Sequence, residues 1–351
     1  MAVAATYVMM GKPDPVGVAA ELIQGYHAAR PLNESEISVL YGLVKARLCS
    51  SVLVSAYRGM LEPDNDYIRI SEKGAWALLK HLCSEPSALA EYRWRSACGM
   101  EPCPKGRHLV TWLKQNAHEF APVLRPDLRK IDPTVLDLGV SSLIIGLPGR
   151  QPDPRRASEA WFRRIRREGA AIGIGRYNEP RIVYTAEHYR VPSNEFDETR
   201  TIHLGIDLFK AAGTPVYAPI TGRVHSLSFS RDPMDFGGLA ILEHSTGAST
   251  FYTLYGHLSE HSVRELRPKQ QILKGDRFAF LGEPEENGGW VPHLHFQVIA
   301  DLLGNFGQYW GVAPASQREV WLSICPDPNL ILGIPDRCFP DPVLPTKSIY
   351  A

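Results

Sequence analysis

The sequence lacks a net charge and contains little cysteine. Among its 351 residues, 38 Lys+Arg balance 38 Asp+Glu, so no overall electrostatic attraction draws the chain to nucleic acid or to an anionic membrane. Six cysteines are too few for a disulfide framework, and no second pair joins Cys98 and Cys103 to complete a zinc ribbon. No uninterrupted apolar run reaches the roughly 20 residues that span a bilayer, and residues 1–11 lack the pattern of a signal peptide. We therefore expect a cytoplasmic protein with no nucleic-acid and no membrane partner.

Hydrophobic patterning divides the chain into four segments. Apolar residues recur at helical spacing over 1–119, which predicts a helical domain. Prolines punctuate a mixed connector over 120–200, short alternating strands with Gly/Pro turns follow over 201–305, and 306–351 is predicted to be a proline-rich tail without a clear element. The predicted fold class is α+β, with an N-terminal helical bundle followed by a small antiparallel β-sheet domain.

Seven arginines lie between Arg150 and Arg167, most of them on a helix predicted over 155–168. A basic stripe of this kind can bind nucleic acid. The arginines here are spread over several faces of the predicted helix, and the rest of the chain is neutral. We therefore favour a solvated helix face over a nucleic-acid site.

Histidines gather in the β-rich segment at the spacing of a strand. In a strand, residues two apart share a face. His203 and Asp207 are therefore expected on one face, with Gly205 leaving a gap without a side chain between them. His293 and His295 are likewise expected to share a face. Each pair has the spacing to contribute ligands to one cation.

A third predicted strand places Thr253, Tyr255 and His257 on one face. Four histidines and an aspartate on three strand faces suit a metal site better than an exposed surface. Neutral imidazoles with a carboxylate favour zinc, and three protein ligands leave the fourth tetrahedral position for water. Zinc lowers the pKa of that water from 15.7 to about 7, and two further histidines can act as general base and oxyanion donor. The pattern predicts amide hydrolysis, because the sequence offers no serine elbow, P-loop or His-Glu-x-x-His helix for another hydrolytic chemistry.

Five motifs within 201–300 resemble the lysostaphin-type (LytM-like) zinc metallopeptidases. They are His203–Asp207, Gly213-Thr-Pro-Val-Tyr-Ala-Pro219, Gly222-Arg-Val224, Tyr255-Gly-His-Leu258 and Pro292-His-Leu-His-Phe296. The resemblance implies zinc held by His203, Asp207 and His295, and it makes His257 and His293 the catalytic pair. It also implies a small antiparallel sheet with the metal in a groove, and endopeptidase activity on peptide cross-links of bacterial cell wall.

Two positions depart from the pattern of that family. The segment Gly288-Gly-Trp-Val291 stands where the family carries Ser-Thr-Gly, so Trp290 is expected to narrow the groove. Gln297 stands where the family carries Glu. We assign Tyr255 and Trp290 to substrate binding, and we expect a substrate other than the usual glycine-rich cell-wall peptide.

The flanking segments resemble other proteins. Tyr41–Lys80, within about residues 1–110, resembles the C-terminal helical lobe of aminoglycoside-phosphotransferase-like kinases. The ATP lobe and catalytic loop of such kinases have no counterpart here, so we expect no kinase activity. Residues 325–335 resemble a linker that joins such a peptidase module to a PLP aminotransferase. The chain is thus similar to the middle of kinase–peptidase–aminotransferase fusion proteins, and kinase or aminotransferase modules are its expected partners.

Two functions remain open at this stage. The first is a zinc-dependent hydrolase that cleaves a peptide or small amide substrate. The alternative is a non-proteolytic zinc-binding module in a small-molecule kinase/PLP-aminotransferase system of amino-acid or amino-alcohol metabolism. Turnover of a peptide would separate the two.

Overall fold

A computed structural model describes residues 1–65, 72–140, 142, 154–184, 187–191 and 198–339, with the backbone alone at 154–158. Residues 66–71, part of the kinase-like stretch Tyr41–Lys80, lie outside the described residues. The helices are α1 (Ala2–Met9), α2 (Pro15–Ala29), α3 (Glu34–Leu61), α4 (Glu72–Ser84), α5 (Ser87–Ala97), α6 (Pro104–Gln115), α7 (Pro154–Arg167), α8 (Glu260–Glu265), α9 (Arg318–Ile324) and α10 (Asn329–Leu332). The strands are β1 (Thr134–Leu136), β2 (Gly173–Gly175), β3 (Arg200–His203), β4 (Ile206–Phe209), β5 (Pro215–Tyr217), β6 (Gly222–Phe229), β7 (Gly238–Ser245), β8 (Thr250–Leu258), β9 (Gln271–Ile272), β10 (Arg277–Phe280), β11 (His293–Ile299) and β12 (Val312–Pro314).

The chain forms two compact units. The first comprises residues 1–107, 190–198 and 316–324, and the second comprises 108–189, 199–315 and 325–351. Helices α1 to α5 and α9 lie in the first unit, and every strand lies in the second. A helical N-terminal part followed by a largely antiparallel sheet confirms the predicted α+β fold class. The four-segment division of the chain stays a prediction.

Capping residues define two helix starts in the first unit. The Asp14 side chain accepts a hydrogen bond from Gly17 N at 3.0 Å, at the start of α2. Asn33 and Glu36 form a reciprocal capping box at the start of α3, with N···O distances of 2.9 and 2.8 Å. Such caps stabilise a helix by about 1 kcal/mol each.

One hydrophobic core joins helices α1 to α5. Trp94 of α5 is fully buried, and its indole Nε1 donates to Val16 O at 3.0 Å. Its ring contacts Tyr41 of α3, with the centroids 5.8 Å apart. This tryptophan thus joins α2, α3 and α5 across the core.

Helix α3 is long and apolar. An 18-residue window within its 28 residues reaches a mean hydropathy of 1.6, and a third of that window is buried. By length and composition alone, α3 therefore meets the requirement for crossing a membrane. Lys45 and Arg47 interrupt the apolar residues, which is why the sequence shows no continuous run. The expectation of no membrane partner stays a prediction.

An eight-stranded sheet organises the second unit, in the order β1-β2-β4-β11-β8-β7-β6-β9. Strands β1 and β2 pair in parallel, and the other neighbours pair antiparallel. Two smaller sheets pair β10 with β5 and β12 with β3. The short strands predicted over 201–305 are confirmed, since β4 to β11 all lie in that stretch.

Two stretches predicted to be a connector and a tail carry regular elements. Strands β1 and β2, within the stretch 120–200, extend the main sheet beside β4. Strand β12 and helices α9 and α10 lie within the stretch 306–339. Strand β12 is stabilised by pairing with β3, which is distant in sequence. Local composition does not reveal such pairing.

Candidate metal centre

Two separate strands position His203 and Asp207. His203 ends β3, which pairs with β12, whereas Asp207 lies in β4, which pairs with β11. The prediction of one continuous strand through both residues is wrong, because the chain passes from one sheet to another at Leu204 and Gly205. His295 of β11 lies directly opposite Asp207, as register partners in the antiparallel pair. The turn and this pairing together bring the three side chains to one place.

The three predicted metal ligands form a small triangle of donor atoms. His203 Nε2 lies 3.1 Å from Asp207 Oδ1, and His295 Nδ1 lies 3.2 Å from the same oxygen. The two imidazole nitrogens are 3.0 Å apart. Zinc bonds of about 2.0–2.2 Å to nitrogen and oxygen place tetrahedral ligands roughly 3.3 Å from one another. The donor set and its spacing therefore fit a zinc ion.

The outward nitrogen of each ligand histidine has a protein acceptor. His203 Nδ1 donates to Arg176 O at 2.8 Å, and His295 Nε2 donates to Gln297 Oε1 at 2.9 Å. The amide of Gln297 in turn donates to Trp310 O at 3.1 Å. These bonds fix the tautomers, so that the unprotonated nitrogens of both rings face Asp207. Gln297 therefore accepts the imidazole N–H, the role that a carboxylate often has in metal sites.

Three glycines make room for the His295 ring. A Cβ at Gly205 would lie 2.6 Å from His295 Cε1. A Cβ at Gly256 or Gly311 would lie 2.5 or 2.6 Å from the ring of Phe236, which packs edge-on against His295 at 5.1 Å. The ring of the candidate ligand His295 thus fills the gap at Gly205 that the sequence indicates.

Burial sets the charge state of the ligands. Burial, with the Arg181 cation nearby, lowers the pKa of His203 to about 4. Burial alone would raise the pKa of Asp207, but the contacts to His203 and Arg181 outweigh it and hold that pKa well below its usual value. At neutral pH the site therefore presents a neutral imidazole beside a carboxylate, the forms that bind a metal.

His257 and His293 lie together beside the triangle. Their ring centroids are 4.1 Å apart, and His293 Nε2 is 3.7 Å from Asp207 Oδ1. His257 Nδ1 donates to Asn287 O at 3.3 Å and His293 Nδ1 donates to Val291 O at 2.6 Å, which leaves Nε2 unprotonated on each ring. Burial lowers the pKa of both histidines, and the neighbouring His293 and His295 lower that of His257 further. Two imidazoles able to accept protons thus adjoin the candidate metal position.

The assignment of Tyr255 to substrate binding is wrong. Tyr255 is fully buried, and its ring contacts Phe278 and Phe296 at 4.8 and 5.3 Å. It lies opposite Phe296 in the β8–β11 pairing, and so on the face of the sheet away from His295. His257 reaches the metal face because its backbone is left-handed, at φ 64°, beside a register shift in β8. This irregularity breaks the two-residue alternation that predicted Tyr255 and His257 on one face.

Trp290 lies beside His257 of the predicted catalytic pair. Its ring meets those of His257 and Tyr184 edge-on, at centroid distances of 6.5 and 6.1 Å. Tyr189 and Met234 belong to the same cluster. The three candidate ligands and the two further histidines are each at most 5% exposed. The substrate-binding role of Trp290 stays a prediction, and its position beside His257 is compatible with that role.

Arg181 and Glu179 also belong to the site, although no sequence motif predicts them. Arg181 is buried and donates from Nη1 to Asp207 Oδ2 at 2.6 Å, and from Nε to Glu179 Oε2 at 2.9 Å. Nothing in the local spacing links Arg181 to Asp207, which lies 26 positions later. The sequence offers one weak signal: Arg181 directly precedes the apolar Ile182-Val183-Tyr184 and follows Glu179 by two residues, and buried charges require partners.

This fold and site define a metallopeptidase-like hydrolase domain. Residues 201–304 match the family model of Peptidase family M23. An uncharacterized metalloprotease of Haemophilus influenzae is 33% identical over 95 residues, which are 27% of this chain and 18% of that protein. Residues 201–304 therefore resemble the M23 peptidase family, in line with the sequence motifs.

The comparisons also support the kinase-like part. Hydroxylysine kinase of Danio rerio is 30% identical over 95 residues, which are 27% of each chain, and that of Bos taurus is 28% identical over 95 residues. The chain spans about a quarter or less of the length of the curated relatives it matches.

Two solved structures are similar over part of the chain. A zinc-containing peptidase from Vibrio cholerae is 28% identical, with a TM-score of 0.24, over 28% of this chain and 27% of that one. The catalytic domain of lysostaphin from Staphylococcus simulans is 20% identical, with a TM-score of 0.24, over 34% of this chain and 80% of that one.

Proposed function

We propose that this chain is a zinc-dependent hydrolase of lysostaphin type, which cleaves a peptide or small amide substrate in the cytoplasm. The observation that carries the proposal is the ligand triangle of His203, Asp207 and His295, with the paired rings of His257 and His293 beside it. Hydrogen bonds to backbone or amide acceptors orient every one of these imidazoles.

The residues of the chain supply the proton transfers. Bound by His203, Asp207 and His295, zinc would supply a Lewis acid that makes water nucleophilic at neutral pH. The unprotonated Nε2 of His257 or His293 takes a proton from the attacking water, whose oxygen bonds to the amide carbon. The resulting imidazolium donates to the developing oxyanion or returns the proton to the leaving amine, as the C–N bond breaks.

Trp290 favours a substrate other than a glycine-rich peptide. Its indole stands beside His257 where the family pattern has small residues. A ring at this position favours contact with an apolar or aromatic side chain over an unsubstituted backbone.

The test is turnover of a peptide library, followed by mass spectrometry. We expect new amine and carboxyl termini with the zinc-loaded chain. His257→Ala and His293→Ala should each reduce the rate by about 10²–10⁴-fold, the usual contribution of general acid–base catalysis. His261→Ala is the matched control, because that imidazole is 73% exposed on α8. Unchanged turnover in both site variants would refute the catalytic assignment.

One observation favours the alternative, a non-proteolytic zinc-binding module that serves kinase or aminotransferase partners. All five site residues are buried, and Trp290, whose ring contacts that of Tyr184, lies beside His257. The alternative predicts stoichiometric zinc, a higher melting temperature with zinc bound, and no cleaved peptide. Cleavage that depends on His257 would exclude it.

A further inference from the structure

We propose that Arg181 is a positioning residue of the metal centre, which holds one oxygen of Asp207 so that only the other is offered to a metal. This inference rests on the proposed metal function. Asp207 Oδ1 faces His203 and His295, whereas Oδ2 accepts from Arg181 Nη1 at 2.6 Å. Both side chains are nearly fully buried, so water does not compete for Oδ2.

The Arg181 guanidinium is itself fixed on several sides. Its Nε donates to Glu179 Oε2 at 2.9 Å, and its Nη1 also donates to the Tyr184 hydroxyl at 3.2 Å. Its Nη2 lies 3.4 Å from Arg176 O, the carbonyl that also accepts from His203 Nδ1. Arg181 is therefore connected to two of the three ligands, to Asp207 directly and to His203 through one carbonyl.

The pairing of β2 with β4 brings this arginine to the site. Gly175 of β2 lies opposite Asp207 of β4. A Cβ at Gly175 would lie 2.7 Å from Arg181 Nη2 and 3.1 Å from Asp207 Cβ. The guanidinium thus occupies space that only a glycine leaves open.

This arrangement determines how the carboxylate meets a metal. With Oδ2 bound to a cation, Asp207 offers one oxygen, and three protein ligands leave a fourth position free. Without the Arg181 guanidinium, the Asp207 carboxylate is able to turn and offer both oxygens to the metal. The coordination number of the metal then rises. Residues 173–184 then belong to the metal centre and do not merely connect two domains.

The test uses the full chain loaded with Co²⁺, whose visible absorption is strong in four-coordinate sites and weak in sites of higher coordination. The variants are Arg181→Met, which removes the donor, and Gly175→Ala, which keeps every charge but displaces the guanidinium. Arg176→Met is the matched control, because that guanidinium contacts Glu179 and Asp137 and not Asp207. Circular dichroism establishes which variants fold. If Arg181→Met does not fold, the Co²⁺ absorption of Gly175→Ala decides the test.

We expect strong absorption in the wild type and in Arg176→Met, and a roughly two-fold or greater loss in Arg181→Met and Gly175→Ala. Folded Arg181→Met or Gly175→Ala with wild-type absorption would overturn the inference while leaving the proposed function intact. A wild-type chain that takes up no cobalt and no zinc would overturn both.

Discussion

Replacing Gly205 with alanine tests how the site is built. The new Cβ would lie 2.6 Å from His295 Cε1, 2.7 Å from Nε2 and 2.8 Å from Phe296 O. Ordinary contact begins near 3.4 Å, so the imidazole has to move by about 0.8 Å. The backbone oxygen of Phe296, held in the β11 ladder, has little freedom to yield.

A displacement of this size affects both metal binding and stability. It lengthens the 2.9 Å bond from His295 Nε2 to Gln297 and moves His295 Nδ1 out of the triangle. Losing an outer partner of a ligand usually costs about 10–100-fold in metal affinity, and a displaced ligand should cost at least as much. Overpacking of a buried site adds a loss of about 1–3 kcal/mol in the free energy of unfolding.

The assay is competition for zinc with a chromophoric chelator, together with chemical denaturation of the metal-free chain. Gly42→Ala is the control, because that helical glycine has nothing within 4 Å of an added Cβ. It should leave zinc affinity unchanged and stabilise α3 by about 1 kcal/mol. Wild-type zinc affinity in Gly205→Ala would refute the reasoning about the Gly205 gap.

Three further outcomes are expected. Gln297→Met removes the acceptor for the His295 Nε2 proton and should weaken zinc binding by about 10–100-fold in the same competition assay; unchanged affinity would contradict that role. Tyr255→Phe should leave the KM of any substrate unchanged and cost about 1 kcal/mol, because it removes only the buried bond with Thr253; a changed KM would restore Tyr255 to the substrate site. Burial lowers the pKa of His244 from 6.5 to about 4. As pH falls, the unfolded state therefore binds the proton first. The free energy of unfolding should decrease by about 3 kcal/mol between pH 6.5 and pH 4. Denaturation at pH 7 and pH 4 should show a smaller loss in His244→Gln, and an equal loss in both proteins would contradict this.

The candidate metal ligands follow from a family resemblance, and local spacing in the sequence indicates only part of their geometry. His293 and His295 share a face of an unbroken strand, and this follows from the two-residue repeat alone. The gap at Gly205 was also readable, since a missing side chain leaves room in any backbone arrangement. The turn between β3 and β4 could not be predicted from spacing. His203 and Asp207 nevertheless lie together, with Nε2 3.1 Å from Oδ1.

The remaining features depend on contacts that spacing does not encode. Arg181 reaches Asp207 through the pairing of β2 with β4, and no local pattern specifies that pairing. His257 lies on the metal face because of a left-handed backbone, which is uncommon for residues other than glycine. The same irregularity made the placement of Tyr255 wrong. His244 also depends on such a contact: it is buried in β7 and bonded to Thr253 Oγ1 of β8 at 2.7 Å.

The most direct test of the account is the metal content of the purified chain by mass spectrometry, with His203→Ala in parallel. His203 supplies one corner of the triangle and is fully buried, so its loss should abolish the site. We predict about one zinc per chain in the wild type and none in the variant. A wild-type chain that holds no metal after zinc is supplied, or a variant that retains it, would contradict the account.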